Sequence, residues 1–455
     1  MKKKILITIA DGFHYRYLID TAIVKRIATQ YDIAIVTIPT LVEDLQNYAK
    51  QNQLTYTVLA YEIQVNKPKM LFRSLYKKVL VSTAKKLTET LNIKNEINAS
   101  KKKSPVDLAI SLLEKSQSAL QLLLKKLELS FADPLVDDIF KKEKIDFLIT
   151  STPGQKEFDL PLLFYAKKNH IKSVSPVYSW DNLTAKGPFY FNPDYLIVWN
   201  EIMKQEGIYF HDYKEDTIFA CGVPVFDPYP SIIAAADERI AFKKSLGFDS
   251  DLPLVTLTTI PQVYYGASHL TLAALLLKER NVSLPDFLLL IRPHPMDETD
   301  YSSLKTEIGV VVDEYGSKPD KSLKNWKPTN DNVIHLGKTM KYSDVVLNIA
   351  STITIDAACF DTPIINIGFD IKSNENEYEG SIARYYKYTH YKHIVDGKAC
   401  FIAESFPLLV EQINLYLSNP TIHQAERKAL VKKQVMELDG NAGKRIFDQI
   451  AALIG

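Results

Sequence analysis

Short β-branched runs separated by helix-length stretches constrain this chain more than any other feature. Ile5 to Ala10 and Ile33 to Ile38 flank a helix-like stretch from Tyr17 to Gln30, the rhythm of a parallel strand, helix, strand unit. The rhythm resumes at Ile145 to Thr150 and Ser173 to Tyr178, around an amphipathic helix from Leu160 to Asn169, and runs on through Tyr195 to Trp199 and Thr217 to Ala220. Gly222, Pro224, Pro228 and Pro230 then form a cluster of breakers that reads as a linker. Past it the pattern starts afresh, with strands expected at Leu254 to Thr258, Phe287 to Ile291, Val310 to Val312, Val333 to Leu336, Val345 to Ile349 and Pro363 to Ile367. A single core stops growing at about 250 to 300 residues, so 455 residues are read as two Rossmann-like domains. Their expected bounds are 1–222 and 223–420, with a helical tail over 421–455 that packs back on the first domain.

Residues 64 to about 130 break the rhythm, with helical periodicity and little strand character, and read as a helical insertion in the first domain. Within it Lys67, Lys69, Arg73, Lys77, Lys78, Lys85 and Lys86 interleave with Met70, Leu71, Phe72, Leu75, Tyr76, Val79 and Leu80. That pattern fits an amphipathic helix with a solvated basic face, with an interfacial helix drawn to anionic headgroups as the second reading.

Hydrophobic residues at 46% and charged residues at 24% describe an ordinary globular chain. No window approaches the roughly 18 to 20 apolar residues of a membrane span. The Met1 to Lys4 start resembles a signal peptide, but Asp11, His14, Arg16 and Asp20 cut its apolar run short, leaving a first strand. Cys221, Cys359 and Cys400 lie far apart and are odd in number, so neither a disulfide framework nor a cysteine metal site is expected. The cytoplasm fits, with contact at the inner face of the membrane as the finer expectation. A net charge of +1 gives no general pull toward nucleic acid, and no reader motif accompanies the basic stretch. The absence of a G-x-x-x-x-G-K-[ST] stretch speaks against a P-loop NTPase.

In an open parallel sheet, the loops at the carboxyl ends of the strands line the ligand crevice. Arg292, Pro293, His294 and Pro295 follow a predicted strand, and the two prolines pre-set a turn in which Arg292 and His294 can donate to phosphate. A second strand, from Val345, runs into Ser351, Thr352 and Thr354, where hydroxyls and backbone N–H groups at a helix start can cradle an anion or merely cap the helix. In the first domain Asp11 follows the first strand and Asp181, in Ser179-Trp180-Asp181-Asn182, follows the Ser173 to Tyr178 strand. Either carboxylate can serve as a general base or simply form a turn, and burial against Trp180 would favour the base role for Asp181. Glu157 and Asp159 mark a third strand-end loop. Arg384, Tyr385, Tyr386, Tyr388, His390, Tyr391 and His393 offer rings for sugar stacking or for a core. The histidines lack metal-site spacing.

Taken in order, the His-Pro turn and the later hydroxyl cluster resemble GT-B transferases that use cytidylyl donors: CDP-glycerol glycerophosphotransferases, Kdo transferases and bacterial sialyltransferases. The resemblance spans roughly residues 250 to 370. It implies two Rossmann-like domains facing a central cleft, with His294, Pro295, Ser351 and Thr352 on the donor; Arg292 and Thr354 join them as donor candidates from their strand-end positions alone. The activity it implies is inverting, metal-independent transfer of a sugar or polyol phosphate from a CMP-, CDP- or UDP-linked donor to a bacterial surface glycan or glycolipid, with no cofactor. The first domain then holds the acceptor, with Asp181 or Asp11 as base and Trp180, Asn182, Glu157 and His390 as contacts. A nonhydrolysing UDP-N-acetylglucosamine 2-epimerase shares the architecture, although no glycine-rich stretch stands at the equivalent helix start. A non-catalytic glycan-assembly protein is the third reading.

Overall fold

The computed structural model describes residues 2–63, 66–84, 86–99, 110, 116–261, 268–314, 329–371 and 381–455. It divides into two compact units, Met1–Pro224 together with Ala442–Gly455, and Val225–Asn441.

The first unit is built on a seven-stranded sheet. Its strands are β1 (Lys4–Ile9), β2 (Asp32–Thr37), β3 (Thr57–Ala60), β4 (Phe147–Ile149), β5 (Lys172–Pro176), β6 (Tyr195–Val198) and β7 (Ile218–Ala220). They run in the order β3-β2-β1-β4-β5-β6-β7, and every pair is parallel. Ile5, Leu6, Ile7 and Ile9 of β1 are all fully buried, as a strand covered on both faces requires. β3 escaped the sequence reading because it is a short edge strand whose residues are partly exposed, so it carries no buried apolar run.

The described part of the segment between β3 and β4 holds helices Lys67–Thr83, Glu89–Ala99 and Gln117–Glu128. Tyr76, Val79, Leu120, Leu124 and Leu127 enter the same core as Leu6, Ala34 and Leu148. At about 1.5 to 3 kcal/mol for each fully buried large side chain, this packing ties the helices into the unit. Arg73, expected on the basic face, is instead buried, and the outward residues of that helix include Met70, Leu71 and Phe72.

The second unit carries β8 (Leu254–Thr258), β9 (Leu288–Arg292), β10 (Val310–Val312), β11 (Val345–Asn348), β12 (Ile364–Ile367) and β13 (Phe401–Ala403) in the parallel order β10-β9-β8-β11-β12-β13. The expected strand at Val333 to Leu336 is a correction, because it lies inside the helix Asn330–Tyr342. Thr329 and Asn332 form a reciprocal capping box there, and the buried positions Val333, Gly337 and Met340 follow helical spacing. β13 went unread because it is a half-exposed edge strand and precedes an apolar helix with which its pattern merges.

The tail is divided rather than continuous. Helix Gln424–Gln434 lies in the second unit against the helix Ile353–Cys359, whereas Ala442–Ile454 packs on helix Ile23–Gln30 of the first. In both sheets the strand order reverses once, between β1 and β4 and between β8 and β11. The carboxyl ends of those strands are where such sheets take ligands.

Candidate active site

At the reversal point of the second sheet, β9 and β11 flank β8. The register sets Thr258 beside Arg292 and Leu257 beside Leu347, so the turn after β9 and the loop after β11 leave the same edge. Two strand spacings, about 10 Å, separate them. The His294 amide donates to the Thr259 hydroxyl (2.8 Å), its Nδ1 accepts the Met296 amide (3.0 Å), and its carbonyl accepts the Asp297 amide (2.7 Å). An Nδ1 that accepts puts the proton of a neutral ring on Nε2. Tyr301 braces the turn from behind by donating to Asp297 (2.7 Å).

Arg292 does not offer its whole guanidinium to a ligand. Its Nη1 pairs with the buried Asp313 at 2.5 Å, and the same carboxylate oxygen lies 2.9 Å from His335 Nε2. Asp313, one residue past β10, and His335 are site residues that the sequence reading missed. The position of Asp313 at a strand end was a legible signal, while His335 was hidden by the mistaken strand.

At the end of β11, Ala350 takes a left-handed conformation (φ 27), a costly one for a residue with a Cβ, directly before Ser351. The Ser351 hydroxyl accepts the Ile353 amide (3.2 Å), whereas Thr352 makes no side-chain cap to the helix. Thr354 is a correction to the donor set. It is fully buried, and its hydroxyl meets Asn348 (3.2 Å), Asn366 (3.3 Å) and Tyr391 (2.8 Å), so it steadies the loop from within. Tyr391 itself is core, and Tyr386 donates to the Ile367 carbonyl (2.6 Å). His390 is half-buried near the start of helix Thr389–Gly397, its ring 5.9 Å from that of Tyr388.

The first sheet presents a second constellation at its own reversal point. Asp11 follows β1 and caps the short helix Gly12–Tyr15, accepting the amides of Phe13 (3.0 Å) and His14 (3.1 Å). Its carboxylate also meets His14 Nδ1 at 2.8 Å and the Lys156 ammonium. Burial acts to raise the Asp11 pKa, but His14 and Lys156 outweigh it and hold the carboxyl well below the usual range. A carboxylate held so acidic is a poor base, which argues against Asp11 in that role.

Asp181 follows β5. It accepts the Ser179 hydroxyl (2.6 Å) and lies 3.3 Å from the Lys186 ammonium, while Trp180 is buried and Asn182 accepts the Ser179 amide (3.1 Å). The expected apolar wall against its carboxylate is thus replaced, at these contacts, by a hydroxyl and an ammonium. Glu157 is exposed and paired with Arg73 (2.6 Å). Asp159 is fully buried, receives the hydroxyls of Thr8 (2.5 Å), Thr152 (2.5 Å) and Ser151 (3.1 Å), and has its pKa pushed up by burial, the marks of a strut between the ends of β1 and β4. Lys156 and His14 complete a cluster that no single segment announced, because they meet only through the strand order. Among the described residues, no group of three or more His, Cys, Asp or Glu is placed to hold a metal ion.

Residues 179–452 match the profile of the family described as CDP-Glycerol:Poly(glycerophosphate) glycerophosphotransferase. The chain belongs to this family. The match covers well over half of the sequence, from the Asp181 loop through the whole second unit. The fold is shared with a Listeria monocytogenes protein assigned as a UDP-N-acetylglucosamine 2-epimerase, at TM-score 0.56 and 11% identity over 100% of this chain and 96% of that one. It is shared with a glycosyltransferase from Rickettsia africae, at 0.50 and 15% over 99% of each chain. The Methanocaldococcus jannaschii UDP-GlcNAc 2-epimerase, solved with UDP-GlcNAc and UDP, gives 0.53 and 12% over 99% of each. No curated protein sequence gives a significant match. At these identities the likeness to epimerases is one of fold, and the family match decides for a nucleotide-dependent transferase of the GT-B class.

Proposed function

We propose that this glycerophosphotransferase-family member takes a cytidylyl-activated polyol phosphate, CDP-glycerol in the family's own description, and transfers glycerol phosphate to a hydroxyl of a surface-glycan or lipid-linked acceptor. The observation that carries the reading is the edge of the second sheet: His294 in a turn pinned through its amide, carbonyl and Nδ1, and Ser351 after a strained residue, two strands apart at the point of order reversal.

In this reading the second unit binds the donor, with the Nε2–H of His294, the outer edge of Arg292 and the Ser351 loop meeting the diphosphate and Pro295 fixing the turn. The first unit supplies the acceptor, with Trp180, Asn182 and Glu157 near it. Asp181 takes the proton as the acceptor oxygen attacks the phosphorus that bears glycerol. A new O–P bond forms, the pyrophosphate P–O bond breaks, and CMP leaves with its charge met by Arg292 and His294. Each group acts where charge develops, which is where preorganised donors lower a barrier most. A single in-line displacement inverts the phosphorus.

Substituting Asp181→Asn tests the assignment of the base. Turnover of CDP-glycerol on a poly(glycerophosphate) primer should fall by about 100-fold or more while CDP-glycerol binding persists. Wild-type turnover in that variant removes Asp181 from the mechanism.

The membrane is the finer part of the proposal. Met70, Leu71 and Phe72 are 61%, 66% and 47% exposed on one helix, and Leu129 at 65% lies on the segment that receives Arg73 of the same helix. Exposed Lys67 and Lys77 flank them. An apolar patch beside ammonium groups suits an anionic lipid surface. Among the described residues, no helix is long and apolar enough to cross a membrane.

A further inference from the structure

The one-turn helix Asn182–Ala185 that follows Asp181 has an unusual problem. A turn this short has no later residues to donate to its carbonyls, and all four of its residues are buried, so water cannot serve them. Four side chains from three places solve it, one carbonyl each. Gln155 Nε2, from the loop after β4, donates to Asn182 O (2.7 Å). His211 Nε2, at the end of helix Glu201–His211, bonds Leu183 O (2.7 Å) and stacks on Phe189 with centroids 3.9 Å apart. Thr88 Oγ1 donates to Thr184 O (2.6 Å), and Lys94 Nζ donates to Ala185 O (2.8 Å).

Thr88 and Lys94 both come from the helical segment between β3 and β4. At the amino end of the turn, the Asp181 carbonyl accepts the amides of Thr184 (3.1 Å) and Ala185 (2.8 Å). The position of Asp181 is therefore transmitted from the turn, and that of the turn from the four donors.

We propose that Thr88 and Lys94 are positioning residues: the segment between β3 and β4 clamps the carbonyls of the 182–185 turn and thereby sets the place of the Asp181 carboxylate. The proposal rests on the reading of Asp181 as the base. It assigns the segment a role in turnover beyond filling the core, and it accounts for an ammonium spent on a backbone carbonyl in a half-buried place. Losing one donor leaves a buried carbonyl unserved and lets the turn shift, and small displacements of a reacting group are costly to rate.

The test uses the full-length protein with Thr88→Val, Lys94→Met, both together, and Thr88→Ser as the rescue. Two quantities are measured: kcat and KM with CDP-glycerol and a poly(glycerophosphate) primer, and amide hydrogen exchange at Thr184 and Ala185. The clamp predicts that kcat falls by about 10- to 100-fold in the double variant, with KM for CDP-glycerol held within about a factor of two. It also predicts faster exchange at both amides and recovery of both readouts in Thr88→Ser.

A purely structural role would lower thermal stability and leave kcat of the folded protein in place. Wild-type kcat in the double variant, with Asp181→Asn inactive, overturns the clamp alone. Full activity of Asp181→Asn overturns the base assignment, and the clamp's purpose with it. Unchanged exchange at Thr184 and Ala185 overturns the clamp whatever substrate is in hand.

Discussion

Replacing Asp313 by Asn keeps the shape of the side chain and removes its charge. One carboxylate oxygen serves both Arg292 (2.5 Å) and His335 (2.9 Å), and the aspartate is 6% exposed. A hydrogen bond to a charged group contributes about 1.5 to 3 kcal/mol and a neutral one about 0.5 to 1.5 kcal/mol. Two such downgrades would cost about 2 to 3 kcal/mol, and because the Arg292 side chain keeps 15% of its surface in solvent, part of the lost charge is recovered by water. The expected loss is about 2 kcal/mol.

For a unit of this size that corresponds to a fall of roughly 4 to 8 °C in its melting transition, read by differential scanning calorimetry. Arg292 would also lose its orientation, so CDP binding by isothermal titration calorimetry should weaken by about tenfold. A melting point that moves by less than about 1 °C would show that the network contributes no stability. Tighter CDP binding would show that Asp313 competes with the ligand for Arg292, and would refute the reasoning from the other side.

Glu206 is buried, and burial pushes its carboxyl from 4.5 up to about 8. The folded chain then keeps a proton that the unfolded chain releases, so stability falls as pH rises from about 5 to 8, by as much as about 4 kcal/mol; Glu206→Gln should flatten the urea-midpoint profile across that window, and an unchanged slope would rule this carboxyl out as its cause. At vesicles of phosphatidylcholine and phosphatidylglycerol, the wild type should cosediment, less so in high salt, and Leu71→Ser with Phe72→Ser should release it; a wild type that stays in the supernatant counts against the lipid-facing patch.

The two parallel sheets were legible because a strand buried on both faces writes itself as a run of β-branched residues, as Ile5 to Ile9 and Leu254 to Thr258 do. β3 and β13 were not, since both are edge strands whose residues are largely half-exposed. Val333 to Leu336 carried an apolar run, but the cap at Thr329 and Asn332 outweighed it. Strand-end loops pointed to His294, Ser351 and Asp181, since their chemistry sits beside a readable strand. Asp313, His335, Lys156 and the carbonyl clamp on the 182–185 turn stayed hidden, because each depends on which strands lie side by side and on side chains that cross between elements. Thr354 illustrates the reverse. A hydroxyl at the right place in the sequence turns inward once Asn348, Asn366 and Tyr391 surround it.

The proposed mechanism needs the second unit's sheet edge to be the donor's phosphate site. Calorimetric titration of CDP-glycerol into the wild type, His294→Ala and Ser351→Ala measures that claim with the fewest assumptions. Saturable binding to the wild type is expected, with affinity lowered about tenfold or more in each variant, equivalent to roughly 1.4 kcal/mol. Equal affinity in all three proteins, or none in the wild type, would contradict the claim.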